Sequence, residues 1–181
     1  MNSTTVTYRF VLAGKANDPA FHKCFSALKY LEQEKPKEVN VVVHQFFETQ
    51  WEEYLKKIQL EKKGPFFHHK TSPLVFYNES LYIGDGDAFN EWVLNEFRYL
   101  DKTNPVIYKK KANDTFKNLI ENTPGRAYVY LDISINGQVQ KVVFELFSEY
   151  APQTCENFQK LCNGVFTNKQ GEKLTYTGTE F

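Results

Sequence analysis

The stretch from residue 71 to residue 87 constrains the fold of this chain more than any other. Leu74 to Tyr77 is a short apolar run, and residues 78–80, Asn-Glu-Ser, favour a turn. Leu81 to Ile83 is a second β-prone run, which Gly84 closes. Two short β-prone runs around a turn predict a β-hairpin.

A helix is predicted directly after this hairpin, and a special turn directly before it. Asp85 and Asp87 are both suitable N-caps, because an aspartate side chain accepts hydrogen bonds from the free amides of a first helical turn. Pro73 has no amide hydrogen to donate to a sheet, so it belongs at a strand start or in a turn. A cis Ser72-Pro73 peptide bond is one possibility.

The residues before the hairpin predict a strand, a helix and a second strand. Val6 to Ala13 alternates in a β-rich pattern, and Asp18 with Pro19 marks the start of a helix that ends near Glu34. Val39 to Val43 is almost continuously β-branched, which is typical of a strand buried on both faces.

Two more helices complete the pattern. Thr49 and Glu52 form a capping box for a helix that runs to about Lys62, and the apolar residues of 89–100 follow helical spacing. Residues 6–100 therefore predict an α/β fold in the order β-α-β-α-β-β-α, with helices on both faces of a mixed sheet.

This order, with a Thr-x-Pro turn before the hairpin and a Gly-Asp turn after it, resembles the thioredoxin/glutaredoxin-like domains. We assign residues 1–100 to such a domain, and the alternative is an ordinary β-hairpin packed on a helix. Active members carry Cys-Pro-x-Cys at the N-terminus of the first helix, where free amides and the helix dipole stabilise a thiolate. The matching turn here has no cysteine, so it is a degenerate redox turn: Asp18, Pro19, Ala20 and Phe21. Cys24 lies on the apolar side of the same helix, and we interpret it as a core residue.

The resemblance also implies a vestigial groove. Its residues match positions at which glutaredoxins hold glutathione: Lys15, Thr71, Ser72, Pro73, Gly84 and Asp85. Without thiol chemistry, we expect this groove to hold a peptide or no ligand, and we predict no cofactor.

The adjacent pair His68 and His69 raises the question of a metal site. Neighbouring side chains in an extended segment point to opposite faces, and no cysteine or aspartate lies at ligand spacing around the pair. We therefore predict two solvated loop histidines and no metal site.

Residues 101–126 predict an interdomain linker with one short helix. The segment contains the run Lys109–Lys111, a helical pattern from Asn113 to Ile120, and a Thr-Pro-Gly turn at residues 123–125.

The last part of the chain predicts two strands and a helix. Tyr128 to Ile135 and Val139 to Phe147 are β-prone runs joined by the tight turn Asn136-Gly137, and a helix is predicted between Ala151 and Gly164.

These segments resemble the start of a cyclophilin, over residues 127–181. The matching blocks, in the family's order, are residues 129–137, 143–147, 151–158, 161–164 and 174–181. The resemblance implies a partial cyclophilin-like β-barrel of two strands and a helix. In cyclophilins the catalytic arginine and the proline pocket come after the segment that resembles Tyr176 to Phe181. We therefore expect no catalytic residue, and no enzyme activity, in this sequence.

Composition restricts the partners and the compartment. Lys plus Arg and Asp plus Glu are both 22, so no net charge attracts nucleic acid or an anionic membrane. Three cysteines without Cys-x-x-Cys spacing indicate a reducing compartment. No apolar run approaches the roughly 18 residues of a membrane span, and no signal peptide is recognisable. We predict a cytoplasmic protein.

A thioredoxin-like domain without its cysteines, joined to a cyclophilin-type segment, resembles one subgroup of cyclophilins that is associated with ciliated cells. The resemblance implies a non-catalytic structural or interaction protein of the cytoskeleton, with tubulin and other proteins of the ciliary axoneme as partners. One alternative is a peptidyl-prolyl isomerase whose catalytic C-terminal part is missing from this sequence. A weaker alternative is a glutathione-binding or redox domain.

Overall fold

The computed structural model describes residues 7–122 and 127–180, which form a mixed α/β structure. The chain divides into two compact units, with the boundary between Lys117 and Asn118. The strands of the first unit are β1 (Tyr8–Lys15), β2 (Val39–Phe46), β3 (Leu74–Tyr77) and β4 (Leu81–Gly84). Its helices are α1 (Pro19–Glu34), α2 (Glu48–Lys62) and α3 (Gly86–Phe97), and a 3-10 turn (Gly64–His68) precedes β3. Helix α4 (Pro105–Asn122) contains the boundary.

The four strands of the first unit form one mixed sheet in the order β2-β1-β3-β4. β1 is parallel to β2 and antiparallel to β3, and β3 is antiparallel to β4. The strands and α-helices follow one another in the sequence order predicted above, and the Ser72-Pro73 peptide bond is cis, which was one possibility for this turn. Val6, the first residue of the predicted opening strand, lies outside the described residues.

The central strand β1 separates two apolar cores. Phe10 and Leu12 are fully buried on one face, where α1 and α3 pack against them, and Ala13 is fully buried on the other face. Successive side chains of a strand point to opposite faces, so one strand supplies both cores. The α1/α3 core contains Phe21, Cys24, Leu28, Phe89 and Val93; the α2 core contains Trp51, Ile58, Phe66, Leu74 and Phe76.

The prediction that the strand at residues 39–43 is buried on both faces is wrong. β2 lies at the edge of the sheet, and among its residues only Val39 is buried. Val41 to Val43 are half-buried, because the sheet covers them on one side while the strand's outer edge is open.

The helix caps confirm two sequence signals and correct a third. The Asp18 side chain accepts a hydrogen bond from the amide of Ala20, and Asp85 accepts from the amides of Asp87 and Ala88. Helix α2 begins at Glu48, so the predicted capping residue Thr49 lies within its first turn instead.

Helix α3 ends, and helix α4 begins, at a different residue from the one predicted. α3 ends at Phe97, where Arg98 adopts a left-handed conformation with φ of +56°, so Leu100 is not helical. α4 begins at Pro105, eight residues before the predicted start at Asn113, because the Asn104 side chain caps it by accepting from the amide of Val106. The turn predicted at residues 123–125 lies outside the described residues.

The second unit contains the predicted hairpin and helix. Strands β5 (Ala127–Ile135) and β6 (Gln138–Leu146) are antiparallel, and helix α5 (Pro152–Asn163) follows. The turn residues Asn136 and Gly137 both have positive φ, as a tight hairpin turn requires. Phe158 of α5 packs against Phe144 and Tyr176. A short antiparallel pair that was not predicted follows, β7 (Phe166–Thr167) and β8 (Lys173–Leu174).

Removal of a buried ring should unfold the first unit more easily. We expect Phe89→Ala to lower the free energy of unfolding by about 3–5 kcal/mol, because Phe89 is fully buried against Phe10 and a cavity would remain. Denaturant titration followed by tryptophan fluorescence measures this change, since Trp51 and Trp92 both belong to this unit. The exposed Leu100→Ala should change the value by less than about 0.5 kcal/mol. Equal losses in both variants would contradict the described core.

Candidate functional site

The residues of the predicted groove lie at the ends of several elements of the first unit. Lys15 ends β1, Ser72 and Pro73 precede β3, and Gly84 with Asp85 joins β4 to α3. The Lys15 amide donates a hydrogen bond to Ser72 Oγ at 2.9 Å, so the end of β1 and the cis turn are in direct contact.

Close packing at Gly14 brings the degenerate redox turn to the same place. A Cβ on Gly14 would lie 2.8 Å from Cδ2 of Phe21, 2.9 Å from Oγ of Ser72 and 3.1 Å from Cβ of Pro73. These distances leave no room for a side chain. β1, the first turn of α1 and the cis turn therefore meet at one glycine.

The start of α3 packs against the same turns. A Cβ on Gly86 would lie 3.2 Å from Cβ of Ala20 and 3.5 Å from Cδ of Pro73. Gly84, two residues earlier, has φ of +136°, a conformation that side chains rarely allow. The structure thus places the degenerate redox turn next to the cis turn and next to the start of α3, while Thr71 is exposed.

The chemistry of the degenerate redox turn is set by a carboxylate. Asp18 Oδ1 accepts the amide hydrogen of Ala20 at 2.9 Å at the N-terminus of α1, the location that would stabilise a thiolate. Asp18 Oδ2 is shielded from solvent and has no hydrogen-bond partner among the described residues. A carboxylate group therefore occupies this helix terminus.

Cys24 is fully buried, as the sequence analysis predicted for a core residue. Burial raises the pKa of its thiol far above the ordinary value, and the negative charge of Asp18 raises that pKa further. The thiol therefore stays protonated and unreactive at neutral pH.

The cation of the groove is already paired. Lys15 Nζ lies 3.0 Å from Oε1 of Glu48, the first residue of α2. Asp85, the other charged residue of the predicted groove, uses its side chain to cap α3. The site therefore has carboxylates at Asp18 and Asp85, and its lysine is already paired. It is poorly suited to a ligand with several carboxylates.

His69 is the residue that the sequence analysis misjudged. It was predicted to be a solvated loop histidine, but only 4% of it is exposed. Its Nδ1 lies 2.9 Å from the hydroxyl oxygen of Tyr82, and its Nε2 lies 2.6 Å from the carbonyl oxygen of Thr71. His69 therefore joins β4 to the cis turn, while His68 is exposed as predicted.

Burial lowers the pKa of His69 below its ordinary value of about 6.5. The hydrogen bond to the Thr71 carbonyl and the negative charge of Asp85 oppose this shift only in part. The imidazole is thus neutral near pH 7. Tyr82 is distant from His69 in sequence, so no local sequence pattern could have predicted this pair.

The second unit has an open concavity of about 1420 Å³ beside β5. Residues 128–136 line one side, and residues 176–180 together with Gln159, Cys162 and Asn163 line the remainder. Several large apolar side chains of this unit are exposed, with Val139 at 69% and Tyr150 at 84%. Burial raises the pKa of the Cys162 thiol.

Residues 7–122 and 127–180 contain neither a cluster of metal ligands nor a membrane-spanning helix. No group of three or more His, Cys, Asp or Glu side chains in this part of the chain is arranged to hold a metal ion. None of its helices combines the length and the apolar character needed to cross a bilayer.

Comparison with known families finds a match within the second unit. Residues 130–181 match the model of the cyclophilin type peptidyl-prolyl cis-trans isomerase family. Peptidyl-prolyl cis-trans isomerase D of Cryptococcus neoformans is 45% identical over 53 residues, which are 29% of this chain and 14% of that protein.

Relatives whose similarity extends into the first unit of this chain have a different name. The chain is 32% identical over 136 residues to a cattle protein named probable inactive peptidyl-prolyl cis-trans isomerase-like 6, covering 74% of this chain and 44% of that protein. The human protein of the same name is 25% identical over 173 residues, covering 94% of this chain and 55% of the relative. The chain spans about half the length of these relatives. The predicted resemblance to this subgroup of cyclophilins is confirmed, and the word inactive agrees with the prediction of a chain without isomerase activity.

His69 should make the stability of the first unit depend on pH. Its pKa is lower in the folded state than in the unfolded state, so unfolding takes up a proton below about pH 6.5. We expect the free energy of unfolding to fall as pH decreases from 6.5 toward the folded-state pKa, and to change less in His69→Gln. Denaturant titrations between about pH 7.5 and 5.5 measure this slope. His68→Gln is the matched control, and an unchanged slope in His69→Gln would contradict the assignment.

The three cysteines should differ in reactivity. We expect iodoacetamide to leave Cys24 unmodified in the folded protein, because its thiol is buried and protonated, and to modify the half-buried Cys162 first. Peptide mapping by mass spectrometry measures both rates, and the denatured chain, in which all three cysteines should react, is the control. Modification of Cys24 as fast as Cys162 would show that the first unit retains an accessible thiol.

Proposed function

We propose that this chain is a non-catalytic structural or interaction protein of the cytoplasm, associated with the microtubules of the ciliary axoneme. The observation that carries the proposal is the Asp18 carboxylate at the N-terminus of α1, where a redox member of the thioredoxin-like class needs a thiolate. The names of the relatives support the same conclusion for the cyclophilin-type unit.

The topology of the first unit supports a thioredoxin/glutaredoxin-like assignment. The sheet order β2-β1-β3-β4, with a cis proline directly before β3, fits that class. The site itself does not favour glutathione. Asp18, in the turn that begins α1, supplies a carboxylate where the class needs a thiol, and Lys15, the cation of the groove, pairs with Glu48 at 3.0 Å. We propose that the domain retains its shape as a scaffold for protein contacts.

Helix α4 offers a surface for such contacts. Tyr108 and Ala112 are buried, and Tyr108 donates a hydrogen bond to Asp101 at 2.5 Å, which fixes the helix in the first unit. Lys109 and Lys110 are exposed, and 66% of the Val106 side chain is exposed beside them. A face with lysines and an apolar residue suits an acidic protein surface, and we propose the tubulin lattice as that surface.

The test is cosedimentation of the protein with demembranated axonemes. We expect wild-type protein to pellet with doublet microtubules at about 0.1 M salt, where charges within roughly 10 Å still interact. Lys109→Glu/Lys110→Glu should lower the pelleted fraction several-fold, because two attractive charges become repulsive. Lys37→Glu/Lys169→Glu is the matched control, with the same change in net charge at two exposed lysines elsewhere. A wild-type protein that stays in the supernatant would refute the axonemal association, and equal losses in both variants would refute the role of α4.

A peptidyl-prolyl isomerase is the second candidate. The observation that favours it is the match of residues 130–181 to the isomerase family model, together with the 45% identity to an isomerase named without the word inactive. An isomerase assay on the protein purified from its native source decides between the two. Turnover of a prolyl peptide above the uncatalysed rate would replace the non-catalytic proposal with this one.

A further inference from the structure

We propose that the C-terminal end of α2 and the 3-10 turn after it form a docking surface for an acidic segment of a partner protein that carries a large apolar side chain. We name it the α2 surface, and it consists of Gln59, Leu60, Lys63, Gly64, Phe67 and His68. It shares no residue with the groove or with α4, and it does not depend on the axonemal proposal.

The apolar part of the α2 surface is unusually exposed. Leu60 is 71% exposed and Phe67 is 60% exposed, and both line one depression of about 420 Å³. Their neighbours Ile58 and Phe66 are buried in the α2 core. Two large apolar side chains that share a depression are typical of an interaction site, whereas single exposed residues scattered over a surface are not.

The supports of the α2 surface are rigid. Phe66, next to Phe67, packs edge-on against Phe76 and Tyr82 at centroid distances of 5.3 and 5.0 Å. The Gln59 side chain donates to the carbonyl oxygen of His69 at 2.8 Å, which ties α2 to the 3-10 turn. A preformed depression loses little conformational entropy when a ligand binds.

The backbone that closes the depression has a rare conformation. Lys63 has φ of +53° and Gly64 has φ of +55°. Lysine seldom adopts positive φ, and residues held in such conformations occur preferentially at functional sites. The turn ends α2 within one residue and places Phe67 in the same depression as Leu60.

The charges of the α2 surface select an acidic partner. Lys63 is the cation among the six residues that line the depression, and none of the six is acidic. Lys56, also exposed, lies four residues before Leu60 on the same helix face. The nearest acid in sequence, Glu61, is paired with Lys57 at 3.8 Å. Lysines on both sides of an apolar contact attract an acidic segment and hold its apolar side chain in place.

A second copy of this chain fits the α2 surface less well. A two-fold dimer through this face would bring the same patch of each copy together, and neither patch has an acidic lining residue to pair with the lysine of the other. The charge pattern therefore points to a different protein.

The test uses defined peptides and the whole chain. A fluorescently labelled peptide of sequence EEFEEFEE is titrated with the protein, and binding is followed by fluorescence anisotropy. Two peptides are the controls: EEAEEAEE lacks the apolar side chains, and KKFKKFKK reverses the charge. We expect saturable binding of the first peptide only, weakened by added salt.

Variants locate the site. Leu60→Ser and Phe67→Ser should each weaken binding of EEFEEFEE by about fivefold or more, as expected for apolar anchors, and Lys63→Glu should weaken it similarly. Leu100→Ser, which changes an exposed leucine outside the surface, should leave the affinity unchanged. All three affected side chains are exposed, so thermal melts should confirm that the variants remain folded. Absence of saturable binding, binding of EEAEEAEE with equal affinity, or equal affinity in all variants would each overturn the proposal.

Discussion

The structure of the first unit depends on the burial of one strand on both faces. β1 places Phe10 and Leu12 against α1 and α3, and Ala13 against the core under α2. Successive side chains of a strand point to opposite faces of the sheet. The eight residues of β1 therefore hold the helices on both faces. β1 also pairs with both of its neighbours, since β2 runs parallel to it and β3 runs antiparallel. The site follows from this strand, because Lys15 at its end binds Ser72 of the cis turn.

The polar and titratable groups of the site are engaged in capping, burial or hydrogen bonding. Asp18 accepts a hydrogen bond from the Ala20 amide at the N-terminus of α1, while Cys24, further along the helix, is buried and protonated. His69, neutral and fully bonded, acts as a cross-link between Tyr82 and the cis turn. The residues that would react elsewhere stabilise the fold here.

Local sequence signals predicted most of the elements and part of the site. The caps at Asp18 and Asp85 and the hairpin turn at Asn136-Gly137 depend on neighbouring residues, so they could be read directly. The wrong predictions concern properties that distant residues determine. The edge position of β2 depends on which strands pair with β1, and the burial of His69 depends on Tyr82. The start of α4 was different, since Asn104 and Pro105 gave a local cap signal that was overlooked.

The packing around Gly14 depends on shape and not on reactive groups. A Cβ on Gly14 would lie within 3.1 Å of atoms of Phe21, Ser72 and Pro73, and none of these groups performs redox chemistry. The Ala20 amide at the start of α1 needs only a hydrogen-bond acceptor, and the Asp18 side chain supplies it. A single added methyl group at Gly14 therefore carries a structural penalty, whereas the cap of α1 requires no sulfur. In a domain built this way, close packing restricts Gly14 more strictly than it restricts the chemistry of the turn at Asp18.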